Sequence, residues 1–127
     1  YVTYNDEDMI SIVIDEYVVL DDEYHVDLYP INIDVKNGVV LDNGSLLEID
    51  EAFAREFRER NDEQNGSIDY LDALSDEELA QVLRDRDAVI AYYTPLGMEV
   101  GMNYSDSVSS GWVTVTYKDY DKYLKKF

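Results

Sequence analysis

A chain of 127 residues with 46% hydrophobic and 13% aromatic side chains, 12 of them Tyr, is long and apolar enough to bury the core of one domain, which excludes a disordered acidic tail. Its formal charge of −19, from 29 acidic against 10 basic side chains, argues against direct contact with nucleic acid or an anionic membrane, because both attract basic surfaces. The absence of Cys excludes disulfide and thiolate chemistry, and no apolar run approaches the length of a membrane span.

The chain opens on β-type patterns. Met9 to Ile14 and Tyr17 to Leu20 are apolar, β-branched runs, while Val26, Leu28, Ile31, Ile33 and Val35 alternate with polar neighbours as a half-buried sheet requires. Asn37-Gly38 stands between two such runs and supplies the positive φ angles of a tight hairpin turn. A helix follows. Asp50 can cap it, Phe53 and Phe57 share one face, and Glu51/Arg55 and Glu56/Arg60 are spaced to pair. The segment from Asn61 to Ser67 reads as the loop that ends this helix. Ser75 and Glu78 form a capping box ahead of a second helix with Leu79, Val82 and Leu83 as its buried stripe, and Ser67 can cap a short turn before it. Residues 88–104 read as a second hairpin with Pro95 and Gly97 in the turn and Met98, Val100 and Met102 on one face. Gly111 to Tyr117 gives one more alternating strand, with Trp112 expected in the core. Tyr120, Tyr123, Leu124 and Phe127 fall at helical spacing and predict a short C-terminal helix, whose lysines neutralise acidic neighbours. The fold class is α+β: a mostly antiparallel sheet of about five to seven strands with two hairpins, two or three helices in the middle, and one domain over residues 1–127.

Little in the sequence carries chemistry. His25 is the one histidine, so no His-based metal cluster can form, and its place in "DDEYHVD" suits a surface or strand-edge His in an acidic patch. A catalytic pair cannot be picked from 29 carboxylates by sequence. In "DVKNGVVLDNGSLLEIDE" the ligand spacing of a calcium loop fails because Lys36 takes an inner position, and no phosphate-binding glycine loop is present. The expectation is a non-enzymatic protein with no cofactor and no metal.

The charge is the feature to explain. Residues 5–27 hold Asp6, Glu7, Asp8, Asp15, Glu16, Asp21, Asp22, Glu23 and Asp27 with no Lys or Arg among them, and Tyr24 lies within the same stretch. A second group, Asp76, Glu77 and Glu78, opens the second helix with Asp69, Asp72, Asp85 and Asp87 nearby, while Asp34 and Asp42 flank the Asn-Gly hairpin. Same-face strand residues recur every ~6.6 Å, helix neighbours stand ~5–6 Å apart, and duplex DNA carries one charge per ~1.7 Å of axis, so rows of carboxylates can imitate spaced phosphates. These residues are the candidate contacts with a basic protein. Tyr17, Tyr24, Tyr29, Tyr92, Tyr93 and Tyr104 serve either as anchors of that contact or as the rim of a small core.

In size, charge, lack of Cys and lack of a catalytic signature the chain resembles the small acidic inhibitors that phages and mobile elements direct against restriction enzymes, CRISPR effectors, DNA-repair enzymes and other DNA-binding host proteins. The resemblance rests on no motif and carries over no residue. It implies a DNA mimic acting by stoichiometric protein–protein interaction in host-defence evasion, located in the cytoplasm, that of the host cell if phage-encoded. The partner would be a nucleic-acid-binding enzyme or effector. The alternatives that stay open are an immunity or antitoxin-like protein bound to a toxin nuclease, a domain whose acidity is an adaptation to high salt, and a structural or adaptor domain. A homodimer is possible in each case.

Overall fold

A computed structural model describes residues 1–20, 23–105 and 110–125. Seven strands and three helices are present among them, and the fold is α+β as the pattern required.

Strands β1 (Val2–Asn5), β2 (Met9–Leu20), β3 (Glu23–Asp34) and β4 (Val39–Val40) form one antiparallel sheet in sequence order. The two apolar runs expected as separate strands are continuous in β2, whose register with β3 is unbroken from Met9↔Asp34 to Leu20↔Glu23. Asn37-Gly38 does form the predicted turn, with Gly38 at φ 66°, but the returning β4 is only two residues long. The other strands, β5 (Val89–Thr94), β6 (Gly97–Ser105) and β7 (Ser110–Tyr117), make a second antiparallel sheet in the same consecutive manner.

Between the sheets in sequence lie α1 (Glu51–Gln64), α2 (Asp69–Asp72) and α3 (Asp76–Arg84). Asp50 accepts the Phe53 N–H at 2.8 Å, and the capping box at Ser75 and Glu78 is complete in both directions. Phe53, Phe57, Leu79 and Leu83 bury their stripe against Met98, Val100, Met102, Val113, Val115 and Tyr117, so the helices cover one face of the second sheet. The alternation along β5 places the rest. Ala91 belongs to that helical core, whereas Ile90 and Tyr92 point the other way and pack with Val13 and Leu28 of the first sheet. The order of layers is helices, second sheet, first sheet.

Polar side chains close the backbone edges where these layers meet. Ser11 and Asn32, both fully buried, stand opposite each other on β2 and β3. The Ser11 hydroxyl donates to Asn32 Oδ1 at 2.6 Å and accepts the Tyr93 N–H at 3.0 Å, while Asn32 Nδ2 donates to the Ala91 carbonyl at 2.7 Å and to Asn43 Oδ1 at 2.8 Å. Asn103 of β6 does the same for β3, bonding both the N–H and the carbonyl of Leu28 at 2.9 Å. On the far edge Gln64 bonds both backbone groups of Thr116, and Asn65 donates to the Thr114 carbonyl. This is why α1 runs through Gln64 rather than ending near Asn61: Asn61 is buried, and the extra turn carries two amides that satisfy an otherwise open strand edge.

The C-terminal helix does not form. Tyr120–Lys122 make a single 3-10 turn, after which Leu124 forms a bridge with Leu47, and Phe127 lies outside the described residues. Arg60 secures this segment through both Nη atoms to Asp119 (2.7 and 2.8 Å), with Glu56 and the Tyr117 ring also against the guanidinium.

Candidate protein-binding surface

β1 reaches β2 only as far as the paired Tyr1 and Val13 backbones, and β4 pairs with β3 at Ile33 and Asp34, with the Leu41 N–H reaching on to the Asn32 carbonyl. Past Ile14 and Tyr29 the two long strands therefore continue as a two-stranded arm, held on one side by Asn103 at Leu28 and otherwise flanked by no strand among the described residues. Such a ribbon alone is marginally stable in water, and its open edges can accept further pairing. The arm exposes its large side chains: Tyr17 is 71%, Val19 70% and Tyr24 74% accessible. Interleaved with them are the exposed Asp15 and Glu16 and the half-buried Asp27.

Strand parity sorts these groups. Glu16 stands directly opposite Asp27, with Val18 opposite His25 in the next row, so Glu16, Asp27 and His25 share one face. His25 Nε2 lies 3.5 Å from Asp27 and its side chain is mostly covered, as expected for a strand His in an acidic patch. Asp15, Tyr17, Val19 and Tyr24 belong to the opposite face, the one that is buried further along as Val13 and Leu28. Two carboxylates placed directly across a strand pair repel each other, and among the described residues of the arm there is no Lys or Arg to relieve them.

The remaining acids of the opening stretch divide between turn-making and solvent. Asp6 accepts the Asp8 and Met9 N–H groups at 2.8 Å and the Tyr4 hydroxyl, and the hydroxyl hydrogen bond, followed by the two amides, holds its carboxyl below the usual range. Glu7 and Asp8 are exposed in the same turn. Asp21 and Asp22 lie outside the described residues, as does the side chain of Glu23. Asp34 and Asp42, beside the Asn-Gly hairpin, cap local turns through Asn37 and Gly44.

The second acidic group is elsewhere in the molecule. Asp76, Glu77 and Glu78 form the first turn of α3 in the helical layer, across the second sheet from the arm. Asp76 is engaged by Arg58 and Arg55, whose hydrogen bonds, Arg58 first, lower its pKa; Glu78 is lowered by the Ser75 N–H of the capping box. Glu77 alone of the three is exposed without such a bond among the described residues. The two stretches therefore do not build one pair of parallel rows.

The tyrosines split as well. Tyr17, Tyr24 and Tyr29 are exposed on the arm, whereas Tyr92 is buried and Tyr93 and Tyr104 are half-buried, packed against Tyr120 or Tyr4 and against Tyr70. Burial pushes the Tyr92 phenol up to about 12, with Glu99 adding to the effect. Trp112, expected in the core, is 44% exposed and lines a polar cleft with Gln64, Asn65, Glu99, Thr114 and Thr116. It sits at the outward parity of β7, on the face away from the helices, a distinction that alternation alone does not make when both flanking residues are apolar or Gly. Glu99 Oε2 is buried there without a hydrogen-bond partner among the described residues, and burial raises its carboxyl.

Comparison with family models, with curated proteins and with solved structures finds no match for this chain. Among the described residues no three His, Asp or Glu side chains stand close enough to hold a metal ion, and no helix is long and apolar enough to cross a membrane. The arm combines aromatic and aliphatic side chains at high exposure with carboxylates, on a ribbon whose edges no strand among the described residues pairs.

Proposed function

We propose that this is a non-enzymatic binding protein that uses its β2–β3 arm to occupy a basic site on a nucleic-acid-binding protein and so block it. The observation that carries this reading is the juxtaposition on one arm of Tyr17, Val19 and Tyr24, each at least 70% exposed, with Asp15, Glu16 and Asp27. Carboxylates on such an arm raise the rate of encounter with a basic cleft, and the aromatic side chains supply most of the lasting affinity once water is excluded. The like-charge pair Glu16–Asp27 costs stability in the free protein and is relieved when a Lys or Arg enters between the two. A partner also covers the ribbon edges that no strand among the described residues pairs.

The separation of the two acidic stretches bears on the form of the inhibition. One local patch on an arm supports an immunity or antitoxin-like clamp on a toxin nuclease or similar enzyme better than a duplex-length imitation of DNA by parallel rows. Both forms belong to the same class of action, and duplex DNA competes with the protein in either.

The test is capture of partners on the immobilised protein at low and at ~0.5 M salt, with duplex DNA as competitor and the D15K/E16K/D27K variant as control. The salt step is informative because screening shortens charge attraction to a few Å. The expected result is a basic nucleic-acid-binding protein retained by the natural chain, displaced by duplex DNA and lost with the variant. Retention of the same proteins by the variant, or no displacement by DNA, refutes the reading.

A further inference from the structure

The first sheet has an outer face that no layer among the described residues covers. Helices pack on the second sheet, the inner face of the first sheet packs on β5, and the alternation of β2 and β3 then turns Ile10, Ile12, Ile14, Tyr29, Ile31 and Ile33 outward. They stand in three cross-strand rows, Ile10 opposite Ile33, Ile12 opposite Ile31 and Ile14 opposite Tyr29, with Val40 of β4 and Val2 of β1 extending two of them sideways. Val2 is 59%, Ile14 48%, Tyr29 50% and Val40 67% exposed. An antiparallel sheet with one wet face ordinarily carries polar side chains there. These rows hold no charged residue, and the next row along the arm is the Glu16–Asp27 pair.

We propose that this face is the seat of an amphipathic helix supplied by the basic partner, with its apolar stripe on the isoleucine rows and a Lys or Arg over Glu16 and Asp27. The inference rests on the reading of the protein as a binder of basic proteins, and names the partner's element and where it sits. Dimensions and charge select the occupant. With strands ~4.8 Å apart and ~3.3 Å of rise per residue, three rows over three to four strands cover on the order of 300 Å². That falls below the ~800 Å² per partner of a standard interface between folded subunits, but is room enough for about three turns of a helix ~10 Å wide, which cover about 160 Å². A second copy of this chain would bring a second charge of −19 and a second Glu16–Asp27 pair to the same contact, whereas a helix flanked by Lys or Arg neutralises both acids. Seated there, the helix adds the missing fourth layer, mirroring the helices on the far side of the second sheet.

A fluorescein-labelled Leu/Lys peptide with one apolar helical stripe, and a scrambled peptide of the same composition without the stripe, serve as probes for fluorescence anisotropy. The natural protein should bind the striped peptide at least tenfold more tightly than the scrambled one. I14S/Y29S, which changes two exposed side chains and leaves the charge untouched, should abolish that preference, and E16K/D27K should weaken both peptides. Equal binding of the two peptides, or an unchanged preference in I14S/Y29S, overturns the inference. So does a dimer in sedimentation that I14S/Y29S dissolves, because the occupant is then a second copy. If the preference is absent while a basic partner is still captured and displaced by duplex DNA, only this seat is wrong; loss of DNA-displaceable capture removes the functional reading itself.

Discussion

Replacing Asn32 by Ala tests whether the seam between the two sheets is as costly to open as its hydrogen bonds imply. Asn32 is fully buried and bonds three groups: it accepts from the Ser11 hydroxyl and donates to the Ala91 carbonyl and to Asn43 Oδ1. N32A strands all three. A buried polar group left without a partner costs roughly 1–3 kcal/mol. The low end applies to Asn43, which is only half-buried and keeps its bond to the Pro30 carbonyl, and to Ser11, which retains the Tyr93 N–H. The Ala91 carbonyl has no such recourse from Asn32's side. With the void left by the amide, the sum is about 3–5 kcal/mol, a large share of the ~5–15 kcal/mol by which a domain of this kind is stable. Urea unfolding followed by Trp112 fluorescence and by far-UV circular dichroism gives the readout. With a slope of about 2 kcal/mol/M, the midpoint should fall by about 2 M. S11A alone should cost about 1–2 kcal/mol, and the double variant S11A/N32A should fall short of the sum by at least ~0.5 kcal/mol, because the two side chains share one network. A loss in N32A no greater than the ~0.5 kcal/mol of an ordinary surface substitution would refute the reasoning.

Four further outcomes are expected. A Cβ on Gly101 would meet the Val113 carbonyl oxygen at 1.7 Å, so G101A should prise β6 from β7 and leave little folded protein by circular dichroism; native-like thermal unfolding of G101A would contradict that close approach. Burial raises the Glu99 carboxyl, so the native state holds its proton to a higher pH than the unfolded chain does. E99Q should therefore stabilise the protein at pH 7, with the advantage shrinking as pH falls through the raised folded value and gone below the ordinary Glu range; a constant difference from pH 4 to 8 would count against this. Arg60 lowers Asp119 to about 2, and this contribution is present above the ordinary Asp value and lost as pH falls through about 2. Because the carboxylate is nearly a third exposed, D119N should cost only about 1 kcal/mol at neutral pH in chemical denaturation. Finally, Q64A/N65A bares the Thr114 and Thr116 backbone on the edge of β7, and light scattering should show concentration-dependent association absent from the natural protein.

Local rules were legible in the sequence and distant ones were not. The capping box at Ser75 and Glu78, the Asp50 cap and the Asn37-Gly38 turn each depend on residues within four positions, and each is found where its residues imply. The continuity of β2 was hidden by Asp15-Glu16, which break the apolar run because the arm there is wet on both faces and no longer obeys a buried alternation. The extra turn of α1 answers to Thr114 and Thr116, some fifty positions away, so its local sequence of Asn, Asp, Glu and Gln reads as a loop. Likewise the helical spacing of Tyr120, Tyr123 and Leu124 yields to the bridge that Leu124 makes with Leu47. Of the candidate site, the arm was visible as an acid-rich, Tyr-bearing stretch. Its separation from Asp76, Glu77 and Glu78 was not, since that depends on which face of the second sheet each half of the chain covers.

A considerable part of this protein's acidity is architectural in a way that does not require charge at all. Asp6, Asp34, Asp42, Asp50 and Asp85 each offer a side-chain oxygen to a backbone N–H two or three residues ahead. An Asn carbonyl fills that position nearly as well as a carboxylate does. Converting all five to Asn would remove five negative charges while leaving every turn its acceptor. The molecule so obtained would keep its shape and its arm, and comparing it with the original across a salt series would separate what the fold needs from what the surrounding solution or a partner selects.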